Sequence, residues 1–119
     1  MKVLRIGDTP EAPATAPIFV GDVHSRALVD KETSPAVTVT MVRFSDGAKN
    51  KRHTHSADQI LYITDGEGIV ADEAQEHRVA AGDIVHVPAG EVHWHGATPG
   101  GAMSHLSILP PCETTVVES

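Results

Sequence analysis

The sequence predicts an all-β domain, a sandwich or barrel, and three observations carry that expectation. Short apolar segments rich in β-branched residues recur along the chain, and Gly, Pro or Asp-Gly closes each of them. No window longer than two turns carries the 3.6-residue apolar period of a helix. The chain has 119 residues, enough for one ordinary domain. Hydrophobic residues make up 40% but aromatic ones only 3%, so the core has to be built mainly from Val, Ile, Leu and Ala.

In order, residues 8–17 carry Pro10, Pro13 and Pro17 among alanines. Each proline pushes its predecessor out of the helical region, so residues 1–17 read as an extended arm and residues 18–119 as the barrel domain. Ala36 to Phe44 alternates and is expected to end at an Asp46–Gly47 turn. Gln59 to Thr64 forms the next strand, expected to close at Asp65–Gly66. Asp83 to Val87 stops at Pro88 and Gly90, and Ala102 to Leu109 stops at Pro110. Glu113 to Ser119 reads as a terminal strand or a frayed tail.

Charge narrows the partners. The formal net charge is −7 and the one basic cluster is Lys49, Lys51 and Arg52, read as a solvated turn. Phosphate backbones and anionic membranes need clustered Lys and Arg, so neither nucleic acid nor membrane is an expected partner. No apolar run is long enough to span a bilayer, and no basic-then-apolar leader opens the chain. The lone Cys112 excludes an internal disulfide and any Cys-rich zinc site, which fits a cytoplasmic home. A domain of this size leaves much of its surface unburied, and a homodimer is expected, with the proline-rich arm as an interface element.

Eight histidines stand out, at positions 24, 53, 55, 77, 86, 93, 95 and 105. Isolated histidines are usually exposed or hydrogen-bonded, which is the reading for His24 and His77. His86 alternates out of phase with Val85 and Val87 and is expected to face away from the interior. The two pairs His53-Thr-His55 and His93-Trp-His95 differ from these. On a strand, residues i and i+2 leave the same face about 6–7 Å apart, which lets two imidazoles converge on one metal at about 2.0–2.2 Å. Gln59 shares parity with Leu61 and Ile63, so it faces the core with them, where its amide needs partners.

The spacing Gly47-x5-His53-x-His55-x3-Gln59-x6-Gly66 resembles the first cupin motif at every interval, and Gly82-x5-Pro88-x-Gly90-x2-His93 resembles the second up to its histidine. The resemblance implies a double-stranded β-helix (jelly-roll) barrel with one divalent metal on His53, His55, Gln59 and His93. Two positions depart from the family pattern: Gln59 stands where Glu is usual, and Ala97 where Asn is usual. A neutral amide in place of a carboxylate leaves the site one positive charge higher, a stronger Lewis acid with somewhat weaker metal affinity.

The segments Gly90 to Ala97 and Ala102 to Ile108 resemble small bacterial cupins, among them manganese-dependent hydroxynitrile lyases and the cupin partners of carboxymuconolactone decarboxylase-like proteins. That resemblance implies that Gln59 is a subgroup trait and that His105 points into the pocket as acid or base. It also implies that His95 lines the same pocket and that Thr40 and Val42 line its wall. It favours Mn or Fe as the metal, with Ni or Zn possible. The functions weighed are a metal-dependent lyase on a small oxygenated substrate, an Fe- or Ni-dependent dioxygenase, and a noncatalytic metal- or ligand-binding module.

Overall fold

The computed structural model describes residues 1–117; Glu118 and Ser119, counted with the expected barrel domain, lie outside them. The described residues form ten strands: β1 Ala12–Pro13, β2 Phe19–Val29, β3 Thr38–Asn50, β4 His53–His55, β5 Gln59–Ala71, β6 Glu76–Ala80, β7 Ile84–Val87, β8 Trp94–Ala97, β9 Met103–Leu109 and β10 Thr114–Val116. The only helical element among the described residues is a 3-10 turn at Ile6–Asp8. No helix among them is long and apolar enough to cross a membrane.

β3 and β5 close the barrel, because each pairs with two partners in succession. Thr38–Phe44 of β3 pairs antiparallel with β9, and Lys49 further along the same strand pairs with Gly96 of β8. In β5, the stretch from Ile60 to Gly66 pairs with β9, and Gly68 to Ala71 with β8. The changeover falls where the sequence predicts turns, and here the expectation needs correcting. Asp46 and Gly47 (φ 54° and 76°) do not end β3, and Gly66 (φ 75°) does not end β5. Positive φ is what a tight turn requires, but it equally suits a bulge that bends a continuing strand. Both strands run 13 residues and turn a barrel corner at these positions. Gly66 also has no room for a side chain, since a Cβ there would lie 2.1 Å from the Ala102 carbonyl oxygen.

Phe44, Leu61, Ile63 and Met103 are at most 1% exposed and centre the core. Each contributes roughly 1.5–3 kcal/mol through removal of its side chain from water. With so few aromatics, Phe44 serves as the hub, with its ring 6.3 Å from Phe19 and 5.6 Å from His105. The arm is tied to the sheet where Ala12 and Pro13 pair with β2 and Glu11 bonds Arg43 (2.7 Å). In the C-terminal segment, Thr114–Val116 pairs antiparallel with β4 along His55–His53. This strand lies across the first histidine pair.

Candidate metal centre

The site begins with the β-alternation of the two histidine pairs. His53 and His55 leave one face of β4, and His93 is joined to His53 by a pair of reciprocal backbone hydrogen bonds of 3.0 Å. That bridge brings the two pairs together across 40 residues of sequence. The imidazole rings of His53 lie 4.8 Å from His55 and 4.3 Å from His93, centre to centre. One nitrogen from each of the three rings falls within 4.8 Å of the others, a group that could hold a metal ion. Gln59, at the start of β5 and 4% exposed, adds its amide oxygen 3.1 Å from His93 Nε2.

The hydrogen bonds fix which atoms face inward. His53 Nδ1–H donates to the Lys51 carbonyl (2.6 Å) and His93 Nδ1–H to the Glu91 carbonyl (3.0 Å). His55 Nδ1 is bonded to the Thr114 hydroxyl at 2.9 Å, and its Nε2 is buried with no partner. The Gln59 amide donates through Nε2 to Ser107 Oγ (2.8 Å), which turns Oε1 towards His93. Burial holds all three rings neutral: desolvation pushes His53 and His55 down to about 4 and lowers His93 as well. A neutral His93 with its proton on Nδ1 has a lone pair on Nε2, and Gln59 Oε1 bears only lone pairs. Two acceptors 3.1 Å apart repel unless a cation stands with them. Three imidazole nitrogens and one amide oxygen therefore form a donor set without protons, which fits a divalent metal.

Beside this set lies a cavity of about 540 Å³, lined on its polar side by His53, His55, Gln59 and His95 and on its apolar side by Ile18, Phe19 and Val116. Thr40 lines it as expected, whereas Val42 belongs to the hydrophobic core and is absent from the cavity wall. A recess of about 330 Å³ continues past His55 and Gln59 to Leu109 and Cys112. His105 faces the barrel interior but is 0% exposed and lines neither space. It stands behind His95, with its Nε2 3.0 Å from His95 Nδ1. Desolvation lowers both rings, His105 to about 4 and His95 well below its usual value, with the neighbouring histidines adding to the effect on His95.

Two residues of the site were not singled out from the sequence. Asn50, between two lysines, is 4% exposed and bonds His95 through both ends of its amide. Ser107 orients Gln59; its parity with His105 was the only hint of an inward side chain. The remaining histidines are peripheral: His86 is exposed and bonded to Asp58 (2.8 Å), His24 lies beside Asp22 (3.1 Å) and His77 near Asp72 (3.7 Å). Arg52 of the basic cluster pairs with Glu73 at the surface.

A closed antiparallel barrel, with a cavity beside three histidines that could hold a metal ion, defines a small jelly-roll protein. The cupin domain family matches residues 40–109, more than half of the chain, and the chain belongs to that family. It is 35% identical over 109 residues to an (R)-mandelonitrile lyase of Granulicella tundricola, covering 91% of this chain and 83% of that one. It is also 29% identical over 79 residues to an acireductone dioxygenase of Sulfurihydrogenibium, of which the match covers only 41%. Among solved structures, a cupin-like protein of Thermotoga maritima aligns with a TM-score of 0.79 at 29% identity, over 95% of this chain and 87% of that one. A polyketide cyclase of Streptomyces resistomycificus aligns with a TM-score of 0.89 at 19% identity, over 100% and 87%, and that likeness shows the fold alone.

Proposed function

We propose that this cupin is a metal-dependent lyase that cleaves a small hydroxynitrile into a carbonyl compound and hydrogen cyanide. The observation that carries the reading is a neutral imidazole, His95, in the wall of the cavity beside the His53, His55, Gln59 and His93 donor set. The similarity to a mandelonitrile lyase over nearly the whole chain supports it.

In this reading His53, His55, Gln59 and His93 hold the metal, with Mn or Fe favoured and Ni or Zn as alternatives. A divalent ion bound there supplies Lewis-acid polarisation of a substrate oxygen, strengthened by the neutral Gln59. The chain's own residues handle the proton. His95 takes the hydroxyl proton at Nε2 as the oxygen electron pair forms the carbonyl double bond. The bond to the nitrile carbon breaks, and its electron pair leaves on cyanide. Cyanide then takes the proton back from His95, and hydrogen cyanide departs. His105 supports the transient imidazolium by accepting from His95 Nδ1–H, so it acts through His95. Ile18, Phe19 and Val116 give the substrate's apolar substituent a dry wall.

A second reading, an oxygen-dependent dioxygenase, draws on the partial match to acireductone dioxygenase. Metal-replete protein assayed on a panel of cyanohydrins, with and without O2, decides between them. Cyanide release independent of O2 is expected. O2 consumption with an enediol substrate and no cyanide release would favour the dioxygenase, and no turnover of either kind would favour a binding module.

A further inference from the structure

We propose that Thr114 couples docking of the C-terminal strand β10 to metal binding: its hydroxyl completes His55 as a ligand, and the bound ion in turn holds the strand that walls the cavity. This coupling rests on the His53, His55, Gln59 and His93 donor set of the reading above and is independent of the reaction assigned to it.

The three imidazoles differ in what holds their outer nitrogen. Nδ1–H of His53 and of His93 donates to a backbone carbonyl two residues away, Lys51 and Glu91, so each ring is oriented by its own stretch of chain. His55 Nδ1 instead meets a side-chain hydroxyl 59 residues away, Thr114 Oγ1 at 2.9 Å. A carbonyl only accepts, which pins the ring proton on Nδ1, whereas a hydroxyl accepts or donates. An ion on the buried, unpartnered Nε2 of His55 requires a lone pair there, so Nδ1 carries the proton and donates to Thr114. The partner of a ligand's outer nitrogen fixes the orientation of the ring and raises its basicity. For His55 that partner arrives only when β10 is docked.

Among the described residues β10 pairs with β4 alone, and Thr114, Thr115 and Val116 are all exposed. The ladder continues at its ends, where Ser56 N–H donates to the Glu113 carbonyl (2.9 Å) and Val117 N–H to the Arg52 carbonyl (3.0 Å). A two-stranded ribbon this short, with so little buried surface, is marginal by itself. Its register sets Thr114 opposite His55 and Val116 opposite His53, so the two cavity-lining side chains of β10 share a face with two of the ligands. An ion that fixes His53 and His55 thereby fixes the ladder partner of β10 and presents Nδ1–H to Thr114. Linkage makes the effect mutual: the factor by which docking tightens metal binding is the factor by which metal tightens docking. Metal-loaded protein therefore keeps Val116 against the cavity, and metal-free protein releases it more often. Thr114 is thus a positioning residue, acting through His55.

Hydrogen exchange across residues 113–117, with zinc as the probe ion, tests the coupling, and β6, which lines neither space, serves as the reference. Zinc is expected to slow exchange at 113–117 about 10-fold beyond any change at β6. Thr114→Val keeps the shape and removes the hydroxyl. It should weaken zinc binding about 10-fold in a chelator competition and abolish most of that slowing. Thr114→Ser restores a hydroxyl and should return both readouts towards the unmodified values, which separates the hydrogen bond from packing. Exchange at 113–117 that zinc leaves unchanged overturns the proposal, as does a folded Thr114→Val with unmodified zinc affinity. If Thr114→Val fails to fold, the zinc dependence of exchange in the unmodified protein still decides. Zinc affinity unaffected by His55→Ala would remove the donor set and the coupling together. The expected coupling without cyanide release would remove only the lyase reading.

Discussion

Stripping metal from the protein and lowering the pH from 7 to 5 should unfold it well before ordinary acid denaturation. His53, His55 and His105 are all held down to about 4 by burial, against about 6.5 for a histidine in the unfolded chain. The unfolded state therefore binds more protons than the folded one between about pH 6.5 and pH 4, so stability rises with pH across that window. The contribution is complete above about pH 6.5 and is lost as the pH falls towards 4. Between pH 7 and 5 His53 and His105 each cost about 2 kcal/mol, together about 4 kcal/mol, and solvent screening at the more exposed His55 keeps its share smaller, so the loss is a large part of a small domain's stability. At roughly 4 °C per kcal/mol for a domain of this size, Tm should fall by about 15 °C. Thermal melts of chelator-treated protein at pH 7, 6 and 5 read this directly. With metal restored, the ligand histidines stay unprotonated until the ion leaves, so the loss should shift to lower pH. A metal-free Tm that moves by only a few degrees between pH 7 and 5 would refute the argument that these rings are buried and neutral.

Changing His53 or His93 to Ala removes a donor and should sharply reduce metal content by elemental analysis and lower Tm, since bound metal stabilises the fold by mass action. His105→Ala should instead keep the metal while turnover drops about 10²–10⁴-fold; loss of metal would make His105 a ligand. Gln59→Glu should tighten metal binding yet weaken competitive inhibition by small anions, because the carboxylate lowers the charge of the site. The outer face of β3, β9, β5 and β7 carries Met41, Leu106, Tyr62 and Ile84 in one cross-strand row, with Tyr62 39% and Ile84 68% exposed. A homodimer packed on this row is expected, and light scattering should show Tyr62→Lys with Ile84→Asp to be monomeric, whereas a monomeric unmodified protein at micromolar concentration would contradict the interface.

The parts of this protein legible in its sequence are those that depend on local periodicity. Two histidines at i and i+2 share a face on any strand, and Gln59 shares parity with Leu61 and Ile63, so a convergent donor set follows once the spacing is read. The alternation also turned His86 outward, where it meets Asp58. What local pattern cannot distinguish is a turn from a bulge. Asp46–Gly47 and Asp65–Gly66 carry the same demand for positive φ in either case, and only the strands alongside decide whether the chain reverses or bends on. Here β3 and β5 each had β9 on one side of the corner and β8 beyond it, and bending preserved both ladders. The order of the inner histidines was settled the same way. Parity sends both His95 and His105 inward, but which one meets the cavity depends on how β8 and β9 stack against Phe44. Asn50 lies between two lysines with no pattern to mark it, and its partner is 45 residues away. Its bond to the His95 backbone exists only because β8 approaches β3 closely at Gly96, and that approach is a property of the closed barrel.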